Sequence, residues 1–181
     1  MIKPGDETFR KLLEFSGPSD KYVNISGIKF IEKQEALSLT LHDHDGGENT
    51  TIGFGHYVHR GKINHSHSED QFRPQISEQE AEGLLETDLQ TAKDAVKRLV
   101  GVPLTQNQFD ALVSFCFNVK KREVENSTLL KMLNGSTSPR EFTGDYLGAA
   151  DQFKFFVRSG THHPAGLPGR RRAERDLFLR R

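Results

Sequence analysis

Apolar residues recur at helical spacing along much of the chain, most clearly between residues 77 and 100. There they return every three or four positions, which predicts one long amphipathic helix. Ser77 with Glu80 matches the capping-box pattern at the start of this helix. Thr105 with Gln108 repeats the pattern before a second helix, one side of which is wholly apolar. The second helix is therefore expected to be central in the core.

Weaker helical patterns lie on both sides of this pair. They span residues 5–16, 26–35, 127–134, 138–157 and 169–179. Ser26 is the expected N-cap of the second of these helices, and Ser138 followed by Pro139 is the expected start of the fourth. Apolar residues four and seven positions before Glu35 share a helix face with it, so this carboxylate is expected to end its helix on the apolar side.

After residue 36 the pattern changes to strict alternation, and then to glycine and aspartate punctuation. This change predicts a small antiparallel sheet, followed by a polar, turn-rich loop over residues 60–75. The predicted fold class is α+β, dominated by helices. A sheet lobe at about 36–75 would be joined by the long helix at about 77–100 to a helical lobe at about 101–181.

The chain has 181 residues, enough for one domain with a substantial core. Its 25 basic and 25 acidic residues balance, so composition carries no signal for nucleic-acid binding. The excess of basic residues after residue 119 is expected of a solvated helix surface or of a surface for an anionic polymer. The single cysteine, Cys116, excludes an internal disulfide and is expected to be buried between Phe115 and Phe117.

The first residues lack the apolar core of a signal peptide, and no apolar run approaches the length of a membrane span. The chain is therefore expected to be made in the cytoplasm without a signal peptide and not to insert into a membrane. If its substrate lies outside the cytoplasm, another protein must deliver it.

Residues 30–56 carry the candidate chemistry. They would bring Glu35 at a helix end, a hairpin rich in Asp and Gly, and a Thr on the next strand to one junction of helix and sheet. Two carboxylates in unlike surroundings suit acid/base cleavage of a glycosidic bond, because the buried one donates a proton and the solvated one stays ionised. An acidic hairpin is also a common plain turn, so spacing alone leaves both interpretations open.

Several motifs resemble those of the phage-type lysozymes, the T-even phage lysozyme and endolysin family of glycoside hydrolase family 24. TIGFGH at 51–56 resembles the family's TIGxGH segment, and the Phe-Ile-x-x-x-Glu frame that ends at Glu35 resembles its FIxxxEGLxL. Further similar segments are ISEQEAEGLLETDL, VPLTQNQFDALVSFCFNV, STLLKMLN, GAADQF and GLPGRRRAERDLF, in the family's order. The resemblance covers about residues 25–179, which implies a lysozyme-like catalytic domain at 25–181. Residues 1–24 would be a leading helix or linker, or the edge of a larger protein.

The resemblance implies a muramidase that cleaves the β-1,4 bond between N-acetylmuramic acid and N-acetylglucosamine, with inversion. Glu35 would be the general acid, with Glu32 as the weaker candidate. Thr51 would border the attacking water, and Thr50 is its weaker competitor. No metal and no organic cofactor is required. The alternative is a degenerate lysozyme fold that binds glycan or a partner without cleavage.

The second carboxylate is where the sequence departs from the family, which places an Asp nine residues after the Glu and six before the Thr. Here the Glu-to-Thr distance is sixteen, so one residue is inserted. Counting back from Thr51 gives Asp45; counting forward from Glu35 gives His44, with Asp43 beside it. Asp45 is favoured because residues 46–51 keep the family's turn length, and Asp43 is the alternative.

His56 and Asn118 match positions that line the substrate cleft in the family, and for each a structural role is an equal alternative. Lys120 replaces a family Gly at a helix C-terminus; at positive φ, a Lys there would cost about 1 kcal/mol. Ala36 replaces another Gly and is harmless at negative φ. Histidines and aspartates also suggest a metal site, although solvated loop histidines are the commoner explanation. The residues concerned are His42, Asp43, His44, Asp45, His56, His59, His65 and His67.

The expected partner is the glycan strand of peptidoglycan, bound by a monomer, with no nucleic acid involved. An endolysin and a secreted antibacterial effector domain fit the resemblance equally. The first would reach the cell wall by holin-type release and the second by secretion-system delivery, in which case an immunity or delivery protein is a candidate partner.

Overall fold

The computed structural model describes residues 21–43, 48–135, 144–157 and 165–180. The elements, in chain order, are α1 (Ile25–Glu32), β1 (Ser38–His42), β2 (Asn49–Gly53), β3 (His56–Arg60), α2 (His67–Asp70), α3 (Glu78–Leu99), α4 (Gln106–Asn118), α5 (Lys121–Glu125), α6 (Thr128–Asn134), α7 (Tyr146–Gln152), a 3-10 turn (Phe153–Phe155) and α8 (Gly166–Leu179). The predicted α+β class, dominated by helices, is confirmed. The helix predicted at 5–16 lies outside the described residues.

The two capping boxes start the helices that they predicted. The Ser77 backbone N–H donates to the Glu80 carboxylate at 2.7 Å, and the Glu80 N–H donates to the Ser77 hydroxyl at 3.2 Å. At α4, the Thr105 N–H donates to the Gln108 side-chain oxygen at 2.8 Å, and the Gln108 N–H donates to the Thr105 hydroxyl at 3.2 Å. Each box satisfies N–H groups that lack partners within the first turn of a helix.

The start and end of α1 differ from the prediction. Asn24, and not Ser26, acts as the cap, because its side-chain oxygen accepts the Gly27 N–H at 2.8 Å. The regular helix ends at Glu32. The chain then tightens, and the Glu35 N–H donates to the Glu32 carbonyl three residues back at 3.1 Å. Glu35 therefore lies in a turn beyond the helix and not in its last regular turn.

The helix predicted at 138–157 is shorter in its described part. Ser138 and Pro139 lie outside the described residues. The helix there begins at Tyr146, where the Asp145 carboxylate accepts the Gly148 N–H at 2.7 Å. It gives way to the 3-10 turn after residue 152. Helices α6 and α8 match their predictions, with α8 starting three residues earlier than expected.

Helices α2 and α5 were not predicted. They have only 4 and 5 residues, too few for an apolar period to be visible in the sequence. Helix α2 lies in the segment predicted as a turn-rich loop, so that this segment is more organised than expected.

The three strands form one antiparallel sheet in the order β1-β2-β3. Ser38 pairs with Gly53, whereas His42 pairs with Thr51, so four residue steps along β1 correspond to two along β2. Strand β1 therefore carries an irregularity between Ser38 and His42, before the hairpin. The pairing of β2 with β3 also shifts, between Thr50 and Thr51.

Two glycines of the TIGFGH segment have backbone conformations that side chains disfavour. Gly53 has φ of 64° and ends β2, while Gly55 has φ of 89° in the turn to β3. Glycine adopts this left-handed region without the steric cost of a Cβ atom. The motif is thus explained locally by the turn that joins the second and third strands.

Residues 28–90 form one compact unit, and the described residues on either side of them form another. The core of the first unit consists of the buried side chains of Ile52, Phe72, Ile76 and Ala81. No helix in the described ranges is long and apolar enough to cross a membrane.

In the second unit, Phe115 of α4 makes edge contacts with Phe153 and Phe156, at ring-centroid distances of 5.1 and 4.8 Å. Cys116 beside it is half-buried and not fully buried as expected. Burial, helped by the Glu174 carboxylate, raises the pKa of its thiol to about 12. The thiol is therefore protonated and unreactive at neutral pH.

The strain expected at Lys120 is absent. Its φ is −57°, an ordinary value for any residue, and it precedes α5 as the residue before the first helical position. The chain leaves α4 through Val119 in an extended conformation, so no left-handed residue is needed there. Among the described residues other than glycine, only His65 has a positive φ, which leaves Ala36 unstrained as expected.

Candidate active site

Glu35 lies in the turn between α1 and β1, three residues before the first residue of the sheet, and is half-buried. Glu32, the competing acid, is the last residue of α1 and also half-buried. Burial raises the pKa of Glu32, the nearby Glu82 carboxylate adds to the shift, and Lys29 opposes it. Both acids belong to the unit that contains the sheet.

Thr51 lies at the middle of β2, half-buried, with its hydroxyl oxygen 3.0 Å from Nε2 of His42 on β1. Thr50, its predicted competitor, is fully buried, and its hydroxyl donates to the Gly61 carbonyl at 2.8 Å. Successive side chains of a strand point to opposite faces, so only one of the two threonines can face a given side of the sheet. The burial and the hydrogen bond of Thr50 therefore support a structural role for it.

The candidates for the second carboxylate are only partly described. Asp45 and His44 lie outside the described residues. Asp43 is the first residue after β1 and is half-buried. The irregularity in the pairing of β1 with β2 lies in β1, on the Glu35 side of the hairpin.

His56, the first residue of β3, contacts the long helix α3. Its Nδ1 atom lies 2.9 and 3.0 Å from the two carboxylate oxygens of Asp88. Its ring also meets the edge of Phe72 at a centroid distance of 5.9 Å. These contacts support the structural role for His56, and substrate binding by it stays a prediction.

Asn118 ends α4 in the helical unit and is exposed. Its side-chain oxygen accepts a hydrogen bond from the Arg171 guanidinium. Arg171 is buried and pairs with the buried Glu174 carboxylate at 2.7 Å. Asn118 is therefore held by a buried ion pair while its exposed side remains open to solvent, so substrate binding by it also stays a prediction.

The buried charges of α8 were missed in the sequence. Arg170 and Glu174 are 3.1 Å apart, and the Ser114 hydroxyl donates to Glu174 at 2.8 Å. Burial raises the pKa of Glu174, while Arg171 and Arg170 oppose the shift. The expectation of a solvated basic helix is wrong for Arg170 and Arg171, although it holds for Arg172. The spacing of three and four residues between these arginines and the Glu was the available signal.

A second cluster missed in the sequence surrounds Glu69 of α2, which is fully buried. Its carboxylate accepts the backbone N–H groups of Asn64 and His65, each at 2.9 Å. It also lies 2.8 Å from His59 Nε2 and 2.5 Å from the Arg73 guanidinium. Burial by itself raises the pKa of Glu69, but these hydrogen bonds outweigh burial and lower it to about 2. The cluster organises the segment predicted as a plain loop.

The histidines of the metal hypothesis have other contacts where they are described. His42 contacts Thr51, His56 contacts Asp88, and His67 lies 3.0 Å from Asp70. Within the described residues, no three His, Cys, Asp or Glu side chains are grouped so that they could hold a metal ion.

Solved structures show the same architecture. The muramidase domain of SpmX from Asticaccaulis excentricus matches with a TM-score of 0.70 and 30% identity over 88% of this chain and 99% of that chain. A variant of the lysozyme of phage P22 matches with a TM-score of 0.70 and 32% identity, over 88% and 99% of the two chains. The helices and the small sheet thus define a lysozyme-like fold.

Sequence comparison leads to the same group of proteins. The endolysin of Salmonella phage P22 is 36% identical over 157 residues, covering 87% of this chain and 97% of the relative. The endolysin of Bacillus phage B103 is 39% identical over 163 residues, or 87% of this chain, but the chain spans only 54% of that relative. The phage lysozyme family model matches residues 32–174. The chain belongs to the phage lysozyme family.

Proposed function

We propose that this chain is a peptidoglycan hydrolase, specifically a muramidase that cleaves the β-1,4 bond between N-acetylmuramic acid and N-acetylglucosamine. One observation carries the proposal. In a chain of the phage lysozyme family, Glu35 and Thr51 belong to the same compact unit, one in the turn before β1 and the other on the adjacent strand β2. The sequence predicts the catalytic groups at a junction of helix and sheet of this kind.

Glu35 is the proposed general acid and protonates the bridging oxygen of the glycosidic bond. It is half-buried in the turn just beyond α1. Glu32 has a raised pKa, so it is the residue against which the assignment to Glu35 has to be tested. Glu32 belongs to the regular helix, whereas Glu35 lies next to the sheet.

Asp45 is the proposed second carboxylate, with Asp43 as the alternative. The irregularity in β1 lies before the hairpin, so an insertion absorbed there leaves the distance between hairpin and Thr51 unchanged. This supports counting back from Thr51, which gives Asp45. With Thr51, Asp45 would hold water on the face of the sugar opposite Glu35. The product would be inverted, and the two carboxyl groups would be about 6.5–9.5 Å apart.

The proposed place of action is the bacterial cell wall. Holin-type release of an endolysin and secretion-system delivery of an effector domain both bring the same chemistry to the same polymer. Membership of the phage lysozyme family is compatible with both routes. The proposed substrate is in either case the glycan strand, and Glu35, Asp45 and Thr51 act without a cofactor.

The test is release of reducing ends from purified peptidoglycan by the wild-type chain and by Glu35→Gln, Asp45→Asn and Asp43→Asn variants. Glu32→Gln is the matched control, since it removes a neighbouring carboxylate by the same isosteric change. We expect muramic-acid reducing ends from the wild type, loss of activity with Glu35→Gln, and retention with Glu32→Gln. Activity that survives Glu35→Gln and disappears with Glu32→Gln would reverse the assignment.

The activities of the two Asp variants distinguish between Asp45 and Asp43 as the second carboxylate. We expect Asp45→Asn to lower kcat by several orders of magnitude and Asp43→Asn to have a small effect. A folded wild type that binds peptidoglycan but releases no reducing ends would overturn the proposal in favour of a binding domain. The anomeric configuration of the first product, followed by NMR, distinguishes inversion from retention.

A further inference from the structure

His42 lies directly opposite Thr51 in the pairing of β1 with β2. Directly opposed residues on one face of an antiparallel sheet bring their side chains within contact distance. The Nε2 atom of His42 lies 3.0 Å from the Thr51 hydroxyl oxygen, a normal hydrogen-bond distance. The register shift in β1 is what brings His42 to this position.

The contact of the other ring nitrogen supports one direction for this hydrogen bond. Nδ1 of His42 lies 3.4 Å from the Thr40 carbonyl oxygen, which can only accept. This contact favours the tautomer with the proton on Nδ1, so that Nε2 is an acceptor. The Thr51 hydroxyl then donates to Nε2, in preference to the more distant His42 carbonyl oxygen at 3.5 Å.

We infer that His42 is a positioning residue for the hydrolytic water, acting through Thr51; this inference rests on the proposed function. A threonine hydroxyl has one proton and two lone pairs. Once its proton is committed to His42, Thr51 can offer the water only lone pairs. The water must then donate to Thr51.

This orientation has a chemical consequence. A water molecule that donates one proton to Thr51 and the other to the second carboxylate presents a lone pair to the anomeric carbon. If the hydroxyl were free to rotate, Thr51 could instead donate to the water and occupy that lone pair. Preorganised donors and acceptors lower the barrier because no reorientation is needed in the transition state.

The test compares kcat and KM of wild type, His42→Leu and His42→Gln on soluble, uncross-linked peptidoglycan strands. Leu removes the acceptor, whereas the side-chain oxygen of Gln can accept from Thr51 at a similar reach. We expect His42→Leu to lower kcat by about tenfold with little change in KM, and His42→Gln to restore most of it. His67→Leu is the control, because it makes the same substitution at a fully exposed histidine of α2.

Thr51→Val completes a double-mutant cycle. If His42 acts through Thr51, His42→Leu should cause no further loss of kcat in the Thr51→Val background. Equal losses in both backgrounds, or an unchanged kcat in His42→Leu, would overturn the inference while the wild-type activity still supports the proposed function. A wild type without muramidase activity would overturn the proposed function itself.

A spectroscopic measurement checks the hydrogen bond independently of turnover. The ¹⁵N chemical shifts of the His42 ring at about pH 8, where an ordinary imidazole is neutral, report which nitrogen carries the proton. We expect a proton on Nδ1 and an Nε2 shift that changes in Thr51→Val. A proton on Nε2 would contradict the proposed direction of the bond. Equal thermal midpoints for wild type and His42→Gln would show that any change in kcat does not come from a change in stability.

Discussion

His56 Nδ1 and the Asp88 carboxylate, 2.9 Å apart, connect the third strand of the sheet to the long helix α3. The two residues are 32 positions apart in the chain and lie in the same compact unit. Their side chains are only 23% and 27% exposed, so water screens the pair less than it screens an ordinary surface contact. The pair therefore links α3 to β3, the strand beside the one that carries Thr51.

Asp88→Asn is expected to lower the free energy of unfolding by about 1–2 kcal/mol, since it removes a charge-assisted hydrogen bond from a partly buried histidine. Urea unfolding at neutral pH measures the change. Asp70→Asn is the matched control, because the His67–Asp70 pair is 101% and 62% exposed and should contribute nothing measurable. Equal effects of the two substitutions would contradict the prediction. Loss of activity in Asp88→Asn without loss of stability would point to His56 as a substrate contact.

The Glu69 cluster should stabilise the fold most within one range of pH, and the free energy of unfolding should fall on both sides of that range. The pKa of Glu69 is lowered from 4.5 to about 2, so its contribution is complete above pH 4.5 and lost as the pH falls toward 2. The Arg60 carbonyl and Glu69 raise the pKa of His59 above 6.5, so its contribution is complete below pH 6.5 and lost as the pH rises through the raised value. Both contributions are present between pH 4.5 and 6.5.

The stability difference between wild type and Glu69→Gln should therefore be largest in that window and decline on both sides. Urea unfolding at a series of pH values measures it. Glu80→Gln is the control, because hydrogen bonds from Ser77 lower the pKa of Glu80 without a histidine. The stability difference between wild type and Glu80→Gln should not decline above pH 6.5. A Glu69→Gln difference that stays constant from pH 5 to 9 would exclude the His59 contribution.

Asp110, on the buried side of α4, should weaken the fold as it ionises. Burial raises its pKa from 3.8 to about 6, against hydrogen bonds from Gln106 and Asn24 and the charge of Lys21. A raised carboxyl pKa gives stability that is complete below pH 3.8 and lost as the pH rises through 6. Relative to Asp110→Asn, the wild type should lose about 3 kcal/mol over this range, because each tenfold change in proton affinity corresponds to about 1.4 kcal/mol. Urea unfolding of both proteins between pH 3 and 8 measures the loss, and parallel stability curves would contradict the prediction.

Gly53→Ala should cost about 1 kcal/mol, because φ at this position is 64°, whereas the new Cβ would be in ordinary van der Waals contact, 3.4 Å from the Cβ of Ala81. Gly61→Ala is the comparison in which backbone strain acts alone. Its φ is 95°, farther from the left-handed minimum at about 57°, and nothing lies within 4 Å of the added Cβ. Thermal or urea unfolding should show a loss in both variants, with the loss at Gly61 at least as large. A larger loss at Gly53 would mean that packing against Ala81 adds a cost of its own.

The local elements could be predicted because their causes are local. The capping boxes at Ser77 and Thr105 join residues three positions apart, so the residue types and their spacing contain the whole interaction. The amphipathic stripe of α3 and the alternation of β1 are likewise visible in a short window. Where a competing local partner existed, prediction failed: Asn24 takes the cap of α1 that the pattern assigned to Ser26.

Of the candidate site, the sequence alone determined the residue types and their order: Glu35, the acidic hairpin and Thr51, together with the glycines that the turn after β2 requires. The tertiary structure alone decided which side chains meet. The pairing of His42 with Thr51 depends on a register shift, that of His56 with Asp88 on a helix 32 residues away, and that of Asn118 with Arg171 on a helix 53 residues away. Such contacts depend on the path of the whole chain, because burial and long-range packing select one partner among many chemically equivalent ones.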